Sequence, residues 1–487
     1  MKTLNHLEPK IVWSYFEDIC QVPRQSKNEG KIIQYLLDFA KENNLEAERD
    51  EIGNVLIKTP ATEGKENIKT IVLQSHIDMV CEKNEGTNHN FDTDAIKPVI
   101  DGNWVKAQGT TLGADDGIGV AAQMAVLTDN ELEHGPIECL FTVDEETGLT
   151  GAFGLQPNFI TGKILLNLDS EDEGELFIGC AGGIDTLATF TYKEEKVPNN
   201  HKAYKIDITG LNGGHSGDEI DKGRGNSIKI INRFLWNASK EFDIRISNLN
   251  GGKARNAIPR ESFATITVNN SDIDKLKAYF NKYSKDIKAE LSITEPKLEL
   301  SIKETELPKY IIDEDTQHSL LNSLYACMNG VYEMSREIEN LVETSTNLAS
   351  VKFQKGNTIF ITTSQRSSID SAKYDIANMV ESTFALAGAK VIHSDGYPGW
   401  KPNTNSEIMN ITEASYKRLF NITPEVKAIH AGLECGLFLE KYPDLDMISF
   451  GPTIKGAHTP EERIDIKTNL KFWNLLVDVI HNIPANN

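Results

Sequence analysis

The sequence is short of several things. Its 487 residues include six cysteines (Cys20, Cys81, Cys139, Cys180, Cys327 and Cys435), and none of them form a CxxC pair. Structural zinc sites and disulfide frameworks need closer, paired spacing, so these thiols read as reduced side chains packed like small hydrophobes. No stretch approaches the ~20 consecutive apolar residues of a membrane span. The N-terminal Met1–His6 lacks the apolar segment of a secretory signal, so the expected compartment is the cytoplasm. Basic side chains are also scarce: 50 against 72 acidic ones leave a net charge of −22. Such a surface repels nucleic acid and anionic membranes alike. No G-x-G-x-x-G or P-loop follows a strand, so nucleotide chemistry has no support. The serine of Gly214-His215-Ser216-Gly217 is not set in a G-x-S-x-G elbow, which argues against a serine hydrolase.

The length exceeds what one core sustains, since single cores stop growing near ~250–300 residues, and two domains are expected. Residues 28–43 put Ile32, Ile33, Leu36, Leu37 and Ala40 on one helical stripe. Continuous apolar runs at 70–74, 137–143 and 164–168 read as buried strands, and 116–128 as a helix rich in small residues. Buried strands alternating with helices predict a largely parallel or mixed sheet covered on both faces. From about 187 the pattern changes to alternating segments, such as 203–208 and 263–268, between helical stretches at 226–240 and 271–289. The expected fold class is α/β: a mixed-sheet domain with covering helices, built from residues 1–186 and 394–487 and interrupted by an inserted α+β domain at 187–393.

The chemistry-bearing residues lie just after the apolar runs. His76 and Asp78 follow the strand ending at Gln74. Asp115-Asp116 sit in a turn entering the helix, Glu145-Glu146 follow Val143, and Asp169 follows Leu168. His458 lies far away in Gly456-Ala457-His458-Thr459-Pro460. Strand ends of an open α/β sheet converge on one crevice, so distant segments can meet there. Each signal alone is that of a hydrogen-bonded histidine or a solvated turn. Together, two imidazoles and several carboxylates are what a pair of divalent cations needs, with N and O ligands at ~2.0–2.2 Å and ions ~3.5–4 Å apart. Without cations, so many carboxylates in one crevice would repel one another strongly. The absence of thiolates leaves zinc, cobalt and manganese open.

The ordered segments LQSHIDMV, GTTLGADDGIGVA, TVDEETGLTGA, NLDSEDEG and GAHTPEE resemble the motif set of the co-catalytic zinc metallopeptidases that include aminoacylase, carnosinase and glutamate carboxypeptidase, and within it the dipeptidases. The resemblance runs from residue 73 to 462. It implies two divalent ions, Zn2+ first, with Co2+ or Mn2+ as alternatives. His76, Asp115 and Asp169 would hold one ion and Asp115, Glu146 and His458 the other, with Asp115 bridging. It further implies that Asp78 orients His76, that Glu145 is the general base, and that a cis peptide follows Asp115.

For the inserted domain the resemblance implies a lid. His215, in Gly213-Gly214-His215-Ser216-Gly217, would stabilise the oxyanion, and Asn256 and Arg366 would grip polar groups of the substrate. Arg366 suits a free C-terminal carboxylate, which a planar guanidinium can bind through two hydrogen bonds. Gly432 and Glu434, in Ala431-Gly432-Leu433-Glu434-Cys435-Gly436, would admit the substrate close to the backbone and meet its α-amino group. The implied reaction is hydrolysis of dipeptides with free termini, with broad tolerance extending to Xaa-His; pairing into a homodimer through the lid is implied too, the alternative being that the large insert takes the partner's place. The same metal set also serves N-acyl amino-acid deacylases and carboxypeptidases. A non-catalytic peptide-binding module and a metal-buffering protein are the remaining alternatives.

Overall fold

The structure, a computed structural model, describes residues 2–486. The chain divides into two units. One comprises the residues up to Cys180, Trp400–Ala428 and those from Leu433 onward; the other is Ala181–Gly399 with Ile429–Gly432.

The first unit is built on an eight-stranded sheet in the order Glu46–Arg49, Val55–Thr59, Ile137–Thr142, Ile71–His76, Ile164–Asn167, Asp446–Ser449, Glu175–Cys180, Glu425–Ile429. The four central strands, Ile137–Thr142 to Asp446–Ser449, run parallel, in a register that sets His76 opposite Thr142. The strands flanking them pair antiparallel. Every residue of Ile71–His76, Ile137–Thr142 and Ile164–Asn167 is buried. This is why these strands read as unbroken apolar runs: helices cover both faces of a parallel sheet. The helix Ala114–Thr128 is buried from Ala114 to Leu127 and packs on Ile71–His76 and on the helix Lys10–Ile19. Its small residues permit that approach, since a Cβ on Gly119 would reach within 2.5 Å of Ser75 Oγ.

A separate four-stranded antiparallel sheet, Ile454–Lys455, Arg463–Asp465, Trp104–Ala107 and Pro98–Asp101, belongs to the same unit. Its first two strands form a hairpin whose loop carries His458. The pairing of Arg463–Asp465 with Trp104–Ala107 brings that loop to the segment leading into Asp115.

The second unit holds a nine-stranded sheet ordered Glu299–Thr305, His201–Thr209, Ser262–Asn269, Ile244–Gly251, Val342–Gln354, Thr358–Ser367, Gly182–Thr191 and Lys390–His393, with Gly330–Met334 beside Val342–Gln354. Its ladders are antiparallel. Along His201–Thr209 the inward positions Tyr204, Ile206 and Ile208 are buried, whereas Lys202 and Lys205 are exposed. The helices Ser227–Glu241, Ile273–Glu290 and Asp370–Leu386 contribute Phe234, Phe280 and Phe384 to the core shared with these strands.

The breaks of this unit, at 180/181 and 399/400, lie somewhat outside the 187–393 expected from the change of pattern. The cause is pairing. Gly182–Thr191 is already a strand of the antiparallel sheet, with Gly182 opposite Ser367, and Gly183 and Tyr397 exchange backbone hydrogen bonds of 3.0 and 2.8 Å. Ile429–Gly432 also joins this unit, where His430 Nε2 lies 2.7 Å from Ser345 Oγ.

Candidate metal centre

The carboxyl ends of the parallel strands bring the candidate ligands together. His76 ends its strand, Glu145 and Glu146 begin the short helix after Ile137–Thr142, and Asp169 follows Ile164–Asn167. The carboxylate of Asp115 lies between two imidazoles, with Oδ1 3.0 Å from His76 Nε2 and Oδ2 3.0 Å from His458 Nε2. Asp169 Oδ1 lies 3.4 Å from His76 Nε2, and Glu146 Oε2 2.9 Å from His458 Nε2. Donor atoms of His76, Asp115 and Asp169 lie within 4.8 Å of one another, as do those of Asp115, Glu146 and His458. These are two N,O sites sharing one carboxylate, a donor set that fits zinc-type divalent ions. The side chain of His458 is 54% exposed, so that end of the site is open to solvent.

The electrostatics favour cations. Burial opposes ionisation of Asp115, but hydrogen bonds with His458 and His76 outweigh it and hold the carboxyl below its usual range. Burial pushes Asp169 well above that range, aided by the charges of Asp116 and Asp115 and opposed by His76. Burial, with Asp169, Glu434 and Glu146 nearby, does the same to Glu145, again against the pull of His76. His458, hydrogen-bonded to Asp115 and Glu146, is pushed up to about 11. Protons therefore occupy places in this cluster that cations would take. Glu146 Oε1 is buried without a partner among the described residues, a lone-pair donor left over for an ion.

The supporting groups are ordered. Asp78 is fully buried, with Oδ1 3.4 Å from His76 Nδ1. Its two oxygens also accept from the backbone N–H groups of Glu145 (3.0 Å) and Glu146 (3.3 Å), and Oδ2 accepts from Ser26 Oγ at 2.7 Å. One carboxylate thus aligns the His76 imidazole and the turn that bears two further acids. The peptide between Asp115 and Asp116 is cis. Asp144 and His458 have positive φ, 50° and 64°, in the left-handed region that non-glycine residues enter at some cost and that tends to mark functional loops.

A family model described as peptidase family M20/M25/M40 matches residues 72–482. The chain belongs to this family. The cytosol non-specific dipeptidase of Escherichia coli (strain K12) is 45% identical over 485 residues, covering all of both chains. Among peptidases of known structure, an aminoacylhistidine dipeptidase from Vibrio alginolyticus is 45% identical, with 99% of each chain covered and a TM-score of 0.91. A Bacillus cereus aminopeptidase, 17% identical over 98% of this chain and 99% of its own, has a TM-score of 0.57 and shares the fold. Membership of the M20/M25/M40 peptidases accords with the mixed α/β architecture, and among the described residues no helix is long and apolar enough to cross a membrane.

The remaining candidates divide between the units. Glu434 belongs to the first and is buried; Oε2 accepts from Gln74 Nε2 (2.6 Å) and Thr142 Oγ1 (2.7 Å), and Oε1 has no partner among the described residues. Burial drives its carboxyl up to about 7, against the pull of His76 and of these hydrogen bonds. His215, Asn256, Arg366 and Gly432 belong to the second unit. His215 and Asn256 line a cavity of about 770 Å³ together with Asn212, Lys253, Arg260 and Lys352. Arg366 is buried on its strand, donates from Nη1 to Tyr397 Oη at 3.0 Å, and keeps Nε without a partner among the described residues. Gly432 lies against the same tyrosine, whose ring a Cβ would meet at 2.9 Å.

Reading the sequence missed Gln74, Thr142 and Tyr397. Gln74 and Thr142 stand in buried strands, where a polar residue in an apolar run is the available signal. Tyr397 lies in the Gly396–Trp400 segment, which read only as a loop.

Proposed function

We propose that this chain is a two-metal dipeptidase, hydrolysing the peptide bond of dipeptides with free termini, and that it works in the cytoplasm. The observation that carries this reading is the Asp115 carboxylate at 3.0 Å from both His76 and His458, with Asp169 and Glu146 completing two N,O sites. Two relatives that match over the full chain and bear dipeptidase names support the substrate class. His76, Asp115 and Asp169 would hold one divalent ion and Asp115, Glu146 and His458 the other, with zinc favoured by the mixed imidazole and carboxylate donors. Bound ions supply Lewis acidity toward the scissile carbonyl and lower the pKa of water.

The chain's own residues do the rest. Glu145, which opens the turn beside Glu146, takes a proton from the attacking water and delivers it to the leaving amine. Asp78 keeps His76 and the Glu145 turn aligned. Glu434 Oε1, buried and unpartnered, accepts from the substrate's ammonium group. Arg366 takes the C-terminal carboxylate through its fork of donors. His215 stabilises the oxyanion, and Asn256 and Gly432 receive the substrate backbone. Pairing of two copies through the inserted unit is part of the proposal, and sedimentation at assay concentration measures it.

The deciding experiment is metal-by-metal reconstitution of the apoprotein followed by a panel of free, N-acetylated and C-amidated dipeptides, Xaa-His included. Turnover of free dipeptides in clear preference to blocked ones supports the proposal. Preference for N-acetyl amino acids would make the protein a deacylase, and tight binding of dipeptide to metal-loaded protein without turnover would make it a binding module.

A further inference from the structure

The turn that carries Asp115 is fastened by a residue from the other end of the chain. Glu462 is 2% exposed and lies in the same hairpin loop as His458. Its Oε2 accepts from the backbone N–H groups of Leu112 (2.8 Å) and Gly113 (2.9 Å), and its Oε1 from those of Ala114 (2.7 Å) and Asp115 (3.3 Å). One carboxylate thus satisfies four consecutive donors that have no helical partner at the start of this helix. Arg24, 3% exposed, serves the acceptors. Its Nη1 donates to the carbonyls of Ile77 (3.2 Å) and Asp78 (2.9 Å), and its Nη2 to that of Gly113. The turn passes so close to Arg24 that a Cβ on Gly113, which has φ +70°, would collide with the guanidinium.

We propose that Glu462 and Arg24 are positioning residues that fix the Asp115 carboxylate between His76 and His458 before any cation arrives. The inference rests on the two-ion reading above. Three features carry it. The backbone of Asp115 and Asp116 departs from helical geometry, with ψ 114° and 33°, so the helix itself does not dictate where the Asp115 side chain stands. The carboxylate and the guanidinium grip the backbone leading into that departure, from Leu112 to Asp115, with charge-assisted hydrogen bonds, which are about twice as strong as neutral ones. Finally, the loop that supplies Glu462 also supplies His458, and it is closed on itself by Glu462 N–H to Thr459 O (3.0 Å) and Thr459 N–H to Gly456 O (3.2 Å). A shift of this loop would therefore move one ligand directly and the shared ligand through Glu462. Groups behind metal ligands commonly govern affinity in this way.

The test uses the purified full chain stripped of metal and titrated with Co2+ against a competing chelator. Affinity, the visible cobalt spectrum and the melting of the apoprotein are each recorded. E462Q keeps the size but turns an amide N–H₂ toward backbone donors. Its Co2+ affinity should fall about 10- to 100-fold and its spectrum should change. E462D, which restores the charge with a shorter reach, should recover part of both. Wild-type affinity and spectrum in E462Q, or a lower melting temperature with binding unchanged, would overturn the inference while leaving the two-ion reading intact. Should E462Q fail to fold, R24K is read by the same criteria, since it keeps the charge but loses the fork that spans three carbonyls. A wild-type protein that binds fewer than two Co2+ would overturn the two-ion reading and this inference with it.

Discussion

Replacing Glu434 by glutamine tests how the substrate's amino group is recognised with almost no change of shape. In the native protein Oε2 is occupied by Gln74 and Thr142 at 2.6 and 2.7 Å, and Oε1 faces no partner. A glutamine can preserve the first arrangement with its carbonyl, but it turns an N–H₂ toward the incoming ammonium. A hydrogen bond to a charged group contributes about 1.5–3 kcal/mol, so kcat/KM for a free dipeptide should drop roughly 10- to 150-fold at 1.4 kcal/mol per decade. The N-acetylated dipeptide has no ammonium to lose and should change little. The pH dependence follows from the same group. Burial raises the Glu434 carboxyl to about 7, so its charge is lost as the pH falls through that value. The substrate's α-amino group loses its proton above about 8. The preference of the native enzyme for free over blocked dipeptides should therefore peak between these limits and flatten in E434Q. Initial rates on both substrates across pH 6–9, with metal content measured for each preparation, decide it. Equal losses on the two substrates, or none on either, would refute the reasoning.

Other outcomes follow from the same geometry. Glu145→Ala should cost about 10²–10⁴ in kcat, the usual span of general acid–base catalysis, with metal content near that of the native protein by elemental analysis; metal loss would show that Glu145 is a ligand. Asp115→Asn removes the charge shared by both sites, so elemental analysis after dialysis should find less than one ion per chain, and two retained ions would defeat the bridging assignment. His458, pushed up to about 11 by Asp115 and Glu146, carries a proton at pH 7 in the metal-free protein. Metal uptake there should release protons into weakly buffered solution and tighten as the pH rises; an indicator dye that reports no release would contradict this.

Much of the first unit was legible because its central strands are buried on both faces. Ile71–His76, Ile137–Thr142 and Ile164–Asn167 have no solvent side, so each appears in the sequence as an uninterrupted apolar run. The small-residue pattern at 116–128 likewise marked the helix that starts at Ala114. His76, Glu146 and Asp169 stood out because each stands at the end of one of these runs, and the ordered motifs added Asp115, His458 and the expectation of which ligands share an ion. The edges of the inserted unit were less legible. Gly182–Thr191 belongs to the antiparallel sheet through pairing with Thr358–Ser367, and the return of Ile429–Gly432 rests on contacts such as His430 with Ser345.

What the sequence alone determined is therefore local: which segments are buried, with what period, and which acids and imidazoles stand at their ends, because side-chain hydrophobicity and spacing are properties of neighbouring residues. Only the tertiary structure decided that Asp115 sits between His76 and His458, that Glu434 leans on Gln74 and Thr142 while one oxygen stays free, and that Glu462 fastens a turn about 350 residues away in the chain. Those relations depend on strand order and on loops meeting across a sheet edge, and hydrogen-bond partners chosen at such separations leave no period in the sequence for a reader to find.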